Sequence, residues 1–232
     1  VADHLTEEEQ IEAIKRWWDN NWLSVVVPIV AAALLYTGWN FYGDHKKAQA
    51  EKASDEYQAL IELIQPVGEA AFSDELKAEA GALAADIQKQ YAGSMYADLA
   101  AMVSARIAVQ DNNYAAASEA LQAVVDNGSN EAVIAVAKAR LARVEIAAGD
   151  YDAALALVAP SQSESVQALY AEIRGDAYVA KAEPQNARTA YQQALGALTP
   201  QQFAQRGIIQ FKLDGLAPAE SLEPALPSES EG

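Results

Sequence analysis

The chain has 232 residues, 51% of them apolar, so it is long enough to bury a sizeable core and too apolar to be disordered throughout. Its 33 acidic and 16 basic side chains leave a formal net charge of −17, which argues against a basic patch for nucleic acid or an anionic lipid surface and favours protein partners. Cysteine is absent, which excludes a disulfide framework and any thiolate metal site.

Alanine is abundant and β-branched residues gather mainly near positions 25 to 30, so an all-α chain with almost no strand is expected. Residues 3 to 20 read in two ways. They form either a short amphipathic helix at a membrane interface, with Leu5, Ile11, Ile14 and Trp18 on one side, or a partly ordered solvated tail.

Between Asp19 and Asp44 there is no charged side chain. The stretch Trp22 to Tyr42, WLSVVVPIVAAALLYTGWNFY, would reach roughly 30 Å as a helix, the thickness of a bilayer's hydrocarbon core. Trp17, Trp18 and Trp22 flank one end and Trp39, Phe41 and Tyr42 the other, as expected of side chains that settle among headgroups. A retained anchor over residues 21–43 is expected, represented by Trp22, Pro28, Leu34, Trp39 and Tyr42. Pro28 falls in the first third, where a membrane helix tolerates a mild kink. Two other readings are a buried core helix and a secretory signal cleaved near Ala31, Ala32 and Ala33. The first seldom lacks charge over this length, and Glu7, Glu8, Glu9 and Glu12 stand where a signal carries basic residues. Lys15 and Arg16 precede the span while Lys46, Lys47 and Lys52 follow it, so charge does not set its orientation.

Residues 44–213 are expected to form a tetratricopeptide-like α-solenoid. Over 44–65, Tyr57, Leu60, Ile61 and Ile64 fall on one helical stripe that Pro66 and Gly68 stop. Ser73 is placed to cap a second helix that runs to a break at Gly93 and Ser94. The two form the first hairpin. Farther on, DNNYAAASEAL, AGDYDAALALV and AEPQNARTAYQQAL superimpose Tyr114 on Tyr151 and Pro184, and Ala117 on Ala154 and Ala187, at the 37- and 33-residue offsets of a tetratricopeptide period. Twelve positions before the alanines stand Ala105, Ala142 and Gly175, small enough for helix A to approach helix B; four positions after them stand the apolar Leu121, Val158 and Tyr191. Stacking would bury a continuous core. Thr199 and Pro200 end the third repeat, QQFAQRGIIQFKL supplies a capping helix, and residues 214–232, acidic, proline-containing and without a basic side chain, read as a disordered tail.

Chemistry is poorly supported. The two histidines, His4 and His45, lie in the tail and beside the anchor, so no Ser/His/Asp constellation or histidine metal cluster is expected, no cofactor is expected, and the chain does not read as an enzyme. Surface recognition is the better prospect. In the repeat register the A helices line a groove with Leu99, Met102, Arg106 and Val109, then Val136, Arg143 and Ile146, then Leu169, Asp176 and Val179. Arg106 and Arg143 occupy equivalent positions and are candidates to hold a carboxylate or peptide carbonyls. Alternatively, both pair with neighbouring acids, or the chain's own helices fill the groove.

The acidic EEEQIEAIKRWWDNNW, the span ending near GWNFY, and the segments RLARVEIAAGDYDAAL and EIRGDAYVAKAEPQNARTAYQQAL together resemble the YfgM-type ancillary subunits of the bacterial Sec translocon, over roughly residues 7 to 213. The resemblance implies a single-pass inner-membrane protein with residues 1–20 in the cytoplasm and the helical domain in the periplasm. It also implies the SecYEG channel and a membrane-anchored periplasmic chaperone of the PpiD type as partners, with unfolded client polypeptides as possible ligands. Two functions follow as expectations: a non-enzymatic translocon subunit that helps pass emerging polypeptides to periplasmic chaperones, or a structural scaffold for another envelope complex. The tail after Leu213 departs from the family pattern.

Overall fold

A computed structural model describes residues 7–65, 73–161 and 163–216. In chain order the helices are α1 (Glu7–Ile64), α2 (Asp74–Gln90), α3 (Met95–Gln110), α4 (Tyr114–Asn127), α5 (Glu131–Ala148), α6 (Tyr151–Leu157), α7 (Glu164–Ala180), α8 (Pro184–Ala197) and α9 (Phe203–Asp214). A 3-10 turn at Pro200–Gln202 precedes α9, and no strand occurs among the described residues. The chain divides into two compact units, residues 1–52 and 53–232.

In the first unit the described residues belong to α1, which runs through Pro28 without interruption. No break interrupts it near Asp44, since neither Gly43 nor Asp44 is followed by a proline or a capping turn. The helix is long and apolar enough to cross a membrane, and its most apolar window buries nothing against protein. Leu34, Trp39, Phe41 and Tyr42 are all exposed, an apolar surface of the kind that a lipid environment covers. Two of its polar side chains bond to the helix's own backbone. Thr37 Oγ1 donates to the Ala33 carbonyl at 2.8 Å, and Asn21 Nδ2 to the Trp17 carbonyl at 2.8 Å. Where charge resumes, the Lys46 ammonium sits 5.2 Å from the centre of the Tyr42 ring.

The second unit is a stack of helical hairpins. Leu60 and Ile64 of α1 pack with Ala80, Ala84 and Ile87 of α2 and with Ala100 and Val103 of α3. Ser73 caps α2 through the Leu76 amide and Ser94 caps α3 through the Ala97 amide. Three hairpins follow, α3 with α4, α5 with α6 and α7 with α8. Each turn is built alike. Asn112, Gly149 and Ala182 take left-handed backbone conformations at φ 57°, 91° and 59°. The next residue's amide reaches back to the helix in every case: Asn113 to the Ala108 carbonyl at 2.8 Å, Asp150 to Glu145 at 2.9 Å and Glu183 to Tyr178 at 2.8 Å. This is the Schellman closure, in which a left-handed residue lets orphan carbonyls find donors. Asn113 and Asp150 then cap the following helices with their side chains, whereas α8 opens on Pro184, which has no N–H and so needs no acceptor.

The hairpin cores obey the same register. Ala117, Ala154 and Ala187 are fully buried where A and B helices meet. Across from them stand Ala105, Ala142 and Gly175, and the third pair differs for a steric reason. A Cβ at Gly175 would lie within 2.8 Å of three ring carbons of Tyr191, the residue that replaces Leu121 and Val158. A larger side chain on helix B thus requires glycine on helix A. Short α6 stops before Pro160, which disfavours helix in the residue preceding it. The Val158 carbonyl, left without an intrahelical donor at this helix end, accepts from the Arg174 guanidinium at 2.7 Å. The buried Asp98 carboxylate accepts from both the amide and the hydroxyl of Ser129, at 2.8 and 2.7 Å, and pins the α4–α5 connection to α3.

Residues 214–216 complete α9 and its cap, with Asp214 the last residue of the helix. The remainder of the expected tail, 217–232, lies outside the described residues, as do Leu5 and His4 at the other end and the stop at Pro66 and Gly68.

Candidate polypeptide-binding groove

A cavity of about 470 Å³ opens on the face shared by α1, α3 and α5. Its walls are apolar: Tyr57, Ile61 and Ile64 come from the C-terminal turns of α1, Leu99, Met102, Val103 and Val109 from α3, and Val144 and Ala147 from α5. Met102 and Val144 are also part of the core below, so the floor is fixed by packing. Val109 lies at the mouth and is 37% exposed.

Three arginines line this cavity, Arg106 from α3 with Arg140 and Arg143 from α5. All three are exposed, and none makes a hydrogen bond or ion pair with another described residue. No aspartate or glutamate lines the cavity. Burial pushes the Tyr57 phenol above its ordinary value, against the opposing pull of the Arg140 charge. The phenol therefore stays neutral and offers the groove a hydrogen-bonding group.

Of the residues expected to form a groove, Leu99, Met102, Arg106, Val109 and Arg143 come together in this cavity; Val136, Ile146, Leu169, Asp176 and Val179 do not line it. Ile146 and Leu169 pack against the core between the second and third repeats, while Val136 and Val179 are exposed elsewhere. Asp176 is engaged internally. It accepts from the Tyr191 hydroxyl at 2.7 Å and from the Lys212 ammonium of α9 at 2.8 Å, and Lys212 also reaches Glu172 at 2.7 Å. Burial lowers the affinity of Lys212 for its proton, but the two carboxylates outweigh it and hold the ammonium above the ordinary lysine value.

The α1 wall and Arg140 were not anticipated from the repeat register, which considers the A helices of the three repeats alone. Arg140 had a legible signal, because it precedes Arg143 by three positions on one helix and so shares its face. For α1, the stripe Tyr57–Ile64 showed that the helix packs, but not that its edge would close a groove. Among the described residues, no group of three histidine, cysteine, aspartate or glutamate side chains is arranged to hold a metal ion.

The description "Tetratricopeptide repeat-like domain" matches residues 15–218. Over 220 residues the chain is 30% identical to an "Ancillary SecYEG translocon subunit" of Aggregatibacter actinomycetemcomitans, covering 93% of this chain and 100% of that one. This chain belongs to that YfgM-type family. Proteins of the same description in Neisseria gonorrhoeae and Escherichia coli are each 29% identical to it, covering 93% and 91% of this chain and 100% and 97% of their own. No solved structure matches the chain. The matches to family members cover the apolar helix and the repeats together.

Proposed function

We propose that this protein is a non-catalytic ancillary subunit of the SecYEG translocon, anchored in the inner membrane by α1, with residues 1–20 in the cytoplasm and residues 44–213 in the periplasm. There the helical domain helps to pass emerging polypeptides to periplasmic chaperones, a membrane-anchored chaperone of the PpiD type among its partners. The groove between α1, α3 and α5 is the polypeptide-binding surface. Similarity to ancillary translocon subunits over the full length of the relative supports the assignment to the translocon. The cavity carries the assignment of the surface: it is open, apolar and ringed by arginines that no described residue engages. Such a site accepts an extended chain through apolar contact and through guanidinium bonds to carbonyls or carboxylates.

The test is purification in mild detergent of the wild type and of the double variant Arg106→Glu/Arg143→Glu. The wild type is expected to bring SecYEG and a periplasmic chaperone with it. The variant is expected to melt as the wild type does and to retain at least about tenfold less of the partner that uses the groove, as expected when charge-assisted bonds are reversed. Recovery of every partner at wild-type levels would place binding on another face. Protease added to spheroplasts checks the topology: digestion beyond residue 50 with the first 20 residues spared is the expected result, and protection of the helical domain would reverse the orientation.

A further inference from the structure

The groove's charge stands out against the rest of the chain. The protein carries twice as many acids as bases, 33 against 16, yet the cavity is lined by three arginines and no acid. Elsewhere on the stack, three lysines that lie against the protein are matched to carboxylates. Lys77 holds Asp74 and Asp111, Lys181 holds Asp152 and Glu183, and Lys212 holds Glu172 and Asp176. Arg106, Arg140 and Arg143 hold none, although they sit beside an apolar cavity, where a bound chain would exclude water from them.

We propose that the groove selects polypeptide segments in which a carboxylate stands among apolar side chains, the apolar groups lying against Ile61, Leu99 and Val109 and the carboxylate taken by the arginines. This deepens, and rests on, the reading of the groove as a polypeptide site. Three physical points support it. Guanidinium groups pair with carboxylates in a planar, two-point geometry that backbone carbonyls cannot match. Apolar walls strengthen such a pair once a ligand displaces water, because the local dielectric falls. Finally, a basic segment would place its own cation against three arginines, a like-charge contact that rejects it even though the protein's overall negative charge would attract it from a distance. The preference therefore runs opposite to the one that net charge alone would give.

The experiment measures fluorescence anisotropy of three short labelled peptides on the full-length protein in detergent. The peptides share one leucine-rich sequence with its spaced polar positions filled by glutamate, glutamine or lysine. The glutamate peptide is expected to bind at least about tenfold tighter than the glutamine peptide, with the lysine peptide weakest. In Arg106→Gln/Arg143→Gln, both exposed positions, the glutamate and glutamine peptides should become equal while the thermal melt is unchanged. A separate variant, Val109→Trp, obstructs the mouth and should weaken all three. If the three peptides bind equally well and Val109→Trp weakens them all, the groove is a polypeptide site without the carboxylate preference, and the present inference fails alone. If neither variant changes any binding, the groove reading fails with it. Tightest binding of the lysine peptide would overturn the inference and show that the overall negative charge governs. Should the double variant melt early, the single change Arg106→Gln and the loss of glutamate-peptide affinity with rising salt decide the same question.

Discussion

At one register position the three repeats carry Arg106, Arg143 and Asp176, and the contrast between the first two and the third separates an open surface from a closed one. In the first two repeats the side chain stands at an apolar cavity with no partner among the described residues. In the third, the reversed charge is locked to Tyr191 and to Lys212 of the capping helix α9. The same turn geometry and the same buried alanines produce both outcomes. What differs is the local chemistry: Tyr191 on helix B brings a hydroxyl to Asp176, and Gly175 makes room for the ring. Repetition thus supplies the frame, while departures from it decide where the surface remains available and where the stack ends.

The largest expected effect comes from breaking the Gly175–Tyr191 fit. Gly175→Ala should cost about 3 kcal/mol, at the upper end for overpacking, because the ring is almost fully buried and tethered through its hydroxyl. Adding Tyr191→Leu restores the small-with-medium pairing of Ala105 and Leu121, so denaturant melts of the double variant should show less loss than the two single losses summed. Additive losses would mean that the two positions do not share a steric constraint.

A smaller loss is expected at the lock itself. Asp176→Asn removes the charge that Lys212 and Tyr191 hold and should cost about 2 kcal/mol, the range for hydrogen bonds to charged groups. Urea unfolding measures it, and peptide binding to the groove should be unaffected. The lock also predicts a pH dependence. The proton of Lys212 is held more tightly in the folded protein than in the unfolded chain, where the value is 10.5. Its contribution is therefore complete below that value and is lost as pH rises through the higher folded one. Tyr191 adds to the same alkaline loss, since burial first and Asp176 second push its phenol far above 10.0. Thermal melts between pH 9 and 12 should fall steeply for the wild type and more shallowly for Asp176→Asn; parallel curves would show that other groups control the alkaline transition.

The smallest effect is a gain. Ala182 adopts the left-handed conformation that Gly149 serves without a Cβ, so Ala182→Gly should stabilise the third turn by about 0.5–1 kcal/mol, after the glycine's greater freedom in the unfolded chain offsets part of the relief. A lowered melting temperature would contradict the shared turn geometry.

Much of this architecture was legible in the residues. Apolar length without charge announced the anchor, and the recurrence of small, apolar and turn-forming residues announced the hairpins, because both rest on periodicities that neighbours cannot easily override. The continuity of α1 was less visible. Nothing in the composition around Gly43 distinguishes a helix that ends from one that continues, and only contacts made by its last turns reveal what it packs against. The groove was half legible. Equivalent positions in successive A helices suggested a shared groove for Arg106 and Arg143, which line one cavity, but Asp176 is engaged by Lys212, which lies 36 residues away in sequence. Arg140 and the α1 wall enter through tertiary placement, which a repeat register does not encode.

The most direct measurement places a photo-crosslinking residue at Val109, at the mouth of the groove, and at Val179, its equivalent in the third repeat, in cells that carry a stalled translocating polypeptide. Both positions are exposed, 37% and 46%, and both follow the same helical register, so the comparison isolates the groove from mere accessibility. Crosslinks from position 109 to the translocating chain, with none from position 179, are the predicted result; equal crosslinking from both, or from 179 alone, would contradict the assignment of binding to the arginine-lined cavity.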